Sequence, residues 1–214
     1  MKYKAAIFDL DGVIVDTARL HYIAWKKTAS QLGIDFTAEQ NENLKGISRM
    51  AAMDYLIHLS GKPVEEDERL RLAEKKNEYY KLLTESLTPG DCLPGALKCI
   101  QYLKSIGIFI ALGSASKNAV HVLERLKIIT LFDAIIDGTK VEHAKPDPEV
   151  FLLGARQLGI APEQCVVFED AVSGIQAAKN GGMYAVGVGD PCILKQADLV
   201  VQQLDNDEVF RLFT

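Results

Sequence analysis

Long apolar runs are missing from this 214-residue chain, and so is any excess of positive charge. No stretch approaches the roughly 20 apolar residues of a transmembrane helix. Lys2 and Lys4 are followed by only a few apolar residues before Asp9, too few for the core of a secretory signal. Lys and Arg number 24 against 29 Asp and Glu, for a net charge of -5, and the dispersed basic residues exclude a nucleic-acid-binding footprint. Cysteine is also scarce. Cys92, Cys99, Cys165 and Cys192 form no Cys-x-x-Cys pair and have no nearby His at zinc-finger spacing, so buried thiols are expected rather than disulfides or metal ligands. Together these absences predict a cytoplasmic protein with no membrane or nucleic-acid partner; a monomer is expected, though nothing in the sequence fixes the oligomeric state.

What is present is ordinary for a globular protein, with 48% hydrophobic and 25% charged residues. The length is large for one average domain and small for two, which fits a core domain carrying a substantial insertion. Ala5-Ala6-Ile7-Phe8 predicts a buried strand that runs into Asp9-Leu10-Asp11-Gly12. Strand alternation places Asp9 and Asp11 on one face, and Gly12 permits a sharp turn after them. Two adjacent carboxylates ask for a cation, a shared proton, or both. Taken alone, an Asp-x-Asp is more often a solvated acidic turn.

After the apolar run Val13-Ile14-Val15, Asp16 is the expected N-cap of a helix over Ala18 to Leu32, ended by Gly33. Residues 37–87 keep helical composition, with breaks near Gly46 and at Gly61-Lys62-Pro63, and the most charged helix is predicted over about Val64 to Leu83. Beyond Thr88-Pro89-Gly90-Asp91 and Leu93-Pro94-Gly95 the pattern changes. Helices over Ala96–Ser105, Lys117–Leu126, from Asp147-Pro148, and over Ser173–Asn180 alternate with strands over Ile108–Leu112, Ala134–Ile136, Cys165–Phe168, Tyr184–Val188 and Leu199–Val201. Such alternation predicts an α/β fold, a Rossmann-like parallel sheet with helices on both faces. The first strand belongs by type with the later ones. The expected organisation is therefore an α/β core of residues 1–16 and 89–214 and an inserted all-helical cap of residues 17–88. Hinges near Asp16-Thr17 and Leu87-Pro89 make the cap a lid candidate.

Ligands of open parallel sheets bind at the carboxyl ends of strands. Asp9 and Asp11, Ser114-Ala115-Ser116, Lys145-Pro146 and Glu169-Asp170 all occupy such ends. Singly, each has a dull explanation as a helix cap, a surface charge or an acidic loop. Jointly they pair acids able to hold a divalent cation with a hydroxyl, a lysine and a helix start able to hold phosphate. In that order and over essentially the whole length, the chain resembles the haloacid dehalogenase superfamily of aspartyl phosphotransferases, and its helical insertion resembles the cap of the first subclass.

The resemblance implies an enzyme in which Asp9 attacks phosphorus and forms an aspartyl phosphate, while Asp11 acts as general acid and base. It implies Mg2+ held by Asp9, Asp170, Glu169 and the main-chain carbonyl of Asp11, with Lys145 neutralising a phosphate oxygen and holding Asp9. Ser114 and the Ala115 amide would bind phosphate oxygens, with Ser116, Lys117 and Asn118 around phosphate and sugar. The superfamily's dehalogenases lack the second acid, so Asp11 favours phosphate chemistry.

The cap residues resemble the β-phosphoglucomutase branch, through Thr17, His21, Trp25, Lys45-Gly46-Ile47-Ser48-Arg49 and Lys75-Lys76-Asn77. Helical spacing puts Thr17, His21 and Trp25 on one face. In that branch Thr17, His21 and Lys76 help to position the acid/base aspartate, and Lys45, Gly46 and Arg49 suit a second phosphate. Ala52 stands where mutases of this branch carry a serine. His58 and His121 have no implied role, and His143 draws attention only by its closeness to Lys145. The implied reaction interconverts β-D-glucose 1-phosphate and D-glucose 6-phosphate through β-glucose 1,6-bisphosphate. A sugar-phosphate phosphatase and a non-catalytic binding protein remain alternatives.

Overall fold

The computed structural model describes residues 2–44 and 47–214; Lys45 and Gly46 lie outside the described residues. Strand β1 (Ala5–Phe8) is buried throughout, as its unbroken apolar sequence requires. Helices α1 (Ala18–Gln31), α2 (Ala38–Glu42), α3 (Arg49–Ser60) and α4 (Glu66–Thr84) follow. The chain then runs through α5 (Ala96–Ser105), β2 (Phe109–Gly113), α6 (Ala119–Arg125), β3 (Ala134–Ile136), α7 (Glu149–Leu158), β4 (Cys165–Glu169), α8 (Val172–Asn180), β5 (Tyr184–Val188), β6 (Leu199–Val201) and α9 (Asp207–Arg211). The strands form one parallel sheet in the order β3-β2-β1-β4-β5-β6. This is the expected α/β architecture. Chain order reverses beside β1, so its carboxyl end opens on the crevice where such sheets bind ligands.

Packing fixes that end. Phe8 and Phe168 stack with ring centroids 4.6 Å apart on the paired strands β1 and β4. Helix α7 buries Val150, Phe151, Gly154 and Ala155 against the sheet. Each large apolar side chain so buried contributes about 1.5–3 kcal/mol over leaving it exposed.

Two compact units are present, one of residues up to Asp16 together with Leu87–Thr214, the other Thr17–Ser86. In the second, α1 and α3 pack on α4 around Trp25, Phe36, Met53, Leu56 and Leu72, and Ala52 belongs to this apolar cluster. Among the described residues no helix is long and apolar enough to cross a membrane.

Some boundaries differ from those predicted. Asp16 is exposed and is not the cap; Thr17 takes the N-cap position of α1 without a side-chain cap bond. Val15 is tied by bridges to Asp11 and Cys92, and the helix itself starts at Ala18 as expected. Helix α6 begins at Ala119 instead of Lys117, because Ser114 and Ser116 hydroxyls accept from the amides of Ser116 (3.1 Å) and Asn118 (3.2 Å) in two successive side-chain turns. The short α9 has only Asn206, accepting from the Glu208 amide at 2.8 Å, to announce it. Cys99 and Cys165 are buried thiols as expected, but Cys192 is exposed and Cys92 only half-buried.

Candidate active site

In the α/β unit, Asp9 lies at the end of β1, 6% exposed, with its amide donating to the Phe168 carbonyl at 2.9 Å. Its Oδ1 accepts from Lys145 Nζ at 2.7 Å. The same ammonium donates to Glu169 Oε1 at 2.6 Å, and Glu169 Oε2 accepts from the Ala171 amide at 2.7 Å. Lys145 Nζ also sits 4.7 Å from the Phe151 ring centroid. The predicted strand-end residues Asp9, Lys145 and Glu169 are thus joined in one buried network.

Burial pushes the Asp9 carboxyl up to about 6; Lys145 pulls it down, Glu169 raises it, and the Asp11 amide lowers it by hydrogen bonding. Burial opposes the charge on Lys145, but Asp9 and Glu169 outweigh it and raise the lysine above its ordinary value. At neutral pH the arrangement therefore offers an anionic Asp9 beside a fixed cation.

Asp11 is half-exposed in the tight turn that follows, where the Gly12 amide donates to the Val15 carbonyl at 2.9 Å. Gly12 has φ +82°, and a Cβ there would overlap the Asp170 carboxylate. The turn therefore brings Asp170 against the peptide that follows Asp11. A carboxylate from Asp9, one from Asp170 and the main-chain carbonyl of Asp11 form a hard oxygen donor set of the kind Mg2+ prefers, and the residues present fit such an ion. Glu169, also expected as a metal ligand, directs its oxygens to Lys145 and the Ala171 amide.

Ser114 is fully buried at the end of β2. Its amide donates to the Ile136 carbonyl at 2.9 Å and its oxygen accepts from the Ser116 amide, leaving the hydroxyl proton to be donated elsewhere. The Ala115 amide has no acceptor among the described residues. A hydroxyl and an open amide at the carboxyl end of the sheet can hold anionic oxygens. Ser116 is half-buried, Lys117 exposed and Asn118 buried at the N-cap of α6.

The helical unit gathers a second set. His21 Nδ1 lies 2.9 Å from Lys76 Nζ, and Lys76, 4% exposed, stands 4.4 Å over Trp25 and 4.9 Å over Tyr80. Burial, then Lys76 and Arg49, hold His21 well below its ordinary pKa. The imidazole is neutral, so Nδ1 accepts from the lysine and Nε2 carries the proton. Thr17 is buried and its carbonyl accepts the His21 amide at 2.9 Å. Arg49 opens α3, and its Nη1 meets Glu74 Oε2 at 3.3 Å.

Further residues shape these two clusters. Asp137, buried after β3, accepts from the Thr139 amide (2.9 Å) and hydroxyl (2.5 Å) through Oδ1. Its neighbour Gly138 donates to the Ser116 carbonyl at 3.1 Å, and a Cβ at Gly138 would overlap the Ala115 carbonyl oxygen. Asp137 is itself a strand-end acid and could have been collected with the others; for Gly138, Gly174 (whose Cβ would overlap the Glu169 carboxylate) and Tyr80 no sequence signal exists. His143, noted only for its position, bonds Glu149.

Residues 3–182 match the family described as haloacid dehalogenase-like hydrolase. The chain is 46% identical over 202 residues to beta-phosphoglucomutase of Bacillus subtilis (strain 168), covering 94% of this chain and 89% of the relative. It is 34% identical over 184 residues to a phosphorylated carbohydrates phosphatase of Thermotoga maritima, covering 84% and 82%. The crystal structure of beta-phosphoglucomutase from Clostridium difficile superposes with a TM-score of 0.94 at 44% identity, covering 98% of this chain and 96% of that one. By sequence match along most of its length, this chain belongs to the haloacid dehalogenase-like hydrolase family.

Proposed function

We propose that this protein is a Mg2+-dependent β-phosphoglucomutase, interconverting β-D-glucose 1-phosphate and D-glucose 6-phosphate through β-glucose 1,6-bisphosphate, as a cytoplasmic monomer. The observation that carries the reading is the buried Asp9–Lys145–Glu169 network beside Asp11 and Asp170, in a chain 46% identical to a mutase of that name. Phosphoryl transfer is mainly a matter of alignment and charge cancellation. Asp9 attacks phosphorus in line; the bond to the sugar oxygen breaks as the aspartyl phosphate forms. Asp11 gives a proton to the leaving oxygen and later takes one from the hydroxyl that attacks the aspartyl phosphate. Mg2+, held by Asp9, Asp170 and the Asp11 carbonyl, with Glu169 behind Lys145 or as a further ligand, would supply charge neutralisation at the transferring group. Lys145, the Ser114 hydroxyl and the Ala115 amide bind the remaining oxygens; Ser116, Lys117 and Asn118 border them.

In the helical unit, which we assign as the cap domain, Arg49 with Lys45 and Gly46 takes the phosphate that is not being transferred. By analogy with the mutase branch, Thr17, His21 and Lys76 are assigned the positioning of Asp11, whereas Trp25, expected as a sugar contact, is buried in the apolar cluster of this unit beneath Lys76 and serves its packing. A sugar-phosphate phosphatase is the second reading, favoured by the 34% identity to the Thermotoga maritima phosphatase. Phosphorus NMR of the protein with Mg2+, trace bisphosphate and each anomer of glucose 1-phosphate separates them. Glucose 6-phosphate from the β anomer alone is expected; inorganic phosphate as the sole product would overturn the mutase reading.

A further inference from the structure

We propose that Glu149 is a positioning residue for Lys145, acting by closing the loop that carries it; this rests on the reading of Lys145 as part of the phosphoryl-transfer site. A lysine side chain is long and flexible, so holding Nζ 2.7 Å from Asp9 and 2.6 Å from Glu169 requires a fixed backbone beneath it. Residues 142–148 belong to neither helix nor strand. Glu149, the first residue of α7, folds its carboxylate back over them. Its Oε2 accepts from the amides of Glu142 at 3.0 Å and His143 at 2.7 Å and lies 3.1 Å from His143 Nδ1. These bonds close the segment into a ring with Lys145 inside it.

The ring is braced on both sides. The Asp147 amide donates to the Ala144 carbonyl at 3.0 Å, Asp147 Oδ1 accepts from the Glu149 amide at 2.9 Å, and Asn180 Nδ2 donates to the Pro146 carbonyl at 3.0 Å. Its base is rigid, because Val150 and Phe151 of the same helix are buried and the Phe151 ring lies under the Lys145 ammonium. The imidazole and carboxylates of His143, Asp147 and Glu149 also lie close enough to suggest a surface cation site, but Oε2 of Glu149 is already committed to these donors. Glu149 makes no bond to Asp9 or Glu169, so its influence on the reaction passes through Lys145.

The test is a double-mutant cycle on the full-length protein with Mg2+, reading kcat and KM for the mutase reaction. Glu149→Ala is expected to lower kcat by about 10- to 100-fold, the cost of a misplaced catalytic group, with KM changed far less. Glu149→Gln keeps an oxygen that can accept both amides and is expected to restore most of the loss. In a Lys145→Ala background, Glu149→Ala is expected to add nothing, because the group it positions is gone. Full kcat in Glu149→Ala, an equal loss in Glu149→Gln, additive losses in the double variant, or a Glu149→Ala chain that does not fold would each overturn the proposal. Full turnover in Lys145→Ala alone would instead overturn the assignment of Lys145.

Discussion

Asp9 and Asp11 are two residues apart and live in different surroundings, as the separate roles proposed for them require. Asp9 is buried against a lysine and a second carboxylate; Asp11 stands half-exposed on a turn. A carboxyl raised to about 6 is protonated below that pH and cannot attack phosphorus. Activity should therefore fall on the acid side with a limb near 6 at low Mg2+. Because a bound cation favours the anion, the limb should move to lower pH as Mg2+ is raised. A kcat/KM profile at two Mg2+ concentrations checks the sign; a limb that moves upward would contradict it. On the role proposed for it, Lys145 should support both stability and turnover. Replacing it with Ala leaves Asp9 and Glu169 as buried carboxylates without their cation, a change expected to cost about 3–5 kcal/mol in denaturant unfolding. The same variant should lose about 100- to 1,000-fold in kcat, as when a preorganised donor is removed from a transition state.

At the scale of elements, the carboxyl ends of β1, β2 and β4 and the loop after β3 deliver the site. Three of these were legible in the sequence because a buried parallel strand is an apolar run and a Ser or Asp directly after one stands out; Lys145, nine residues beyond β3, stood out only through the family resemblance. Gly138 was not legible. Its importance lies in a close approach across the chain, where the peptide after Asp137 presses on the Ala115 carbonyl and bonds Ser116. Gly138→Ala should displace the Ser114–Ser116 turn and raise the apparent KM for sugar phosphate at least several-fold while leaving Mg2+ affinity unchanged. Titration of Mg2+ alongside the kinetics separates the two. Gly12→Ala should do the reverse first, since its Cβ would drive Asp170 away and weaken Mg2+ binding. Helix starts were misplaced where local side-chain bonds intervened, as with the successive turns at Ser114 and Ser116 that delay α6 to Ala119. Such bonds compete with the helix and leave no mark on hydrophobic periodicity.

For the molecule as a whole, the sheet could be read from the alternation of elements, and the helical unit from the lack of strands over 37–87. The partners of Arg49 and His21 could not, because the Glu74 contact and the Tyr80 ring come from how α1, α3 and α4 pack. Glu74 is largely exposed, and such a pair is worth at most about 1 kcal/mol, so it would not hold Arg49 back from the phosphate proposed to bind there. Arg49→Ala should therefore depress mutase turnover and raise the bisphosphate KM, yet leave slow hydrolysis of the aspartyl phosphate unaffected; equal loss of both would argue against a distinct role for Arg49. One carboxylate of the pair, Asp9, is expected to carry the phosphoryl group. Acid quench of the protein mixed with Mg2+ and β-glucose 1,6-bisphosphate, followed by peptide mass mapping, tests it directly. One phosphoryl group on Asp9, absent in Asp9→Asn, is the predicted result; phosphate on Asp11 or Ser114, or on no residue, would contradict it.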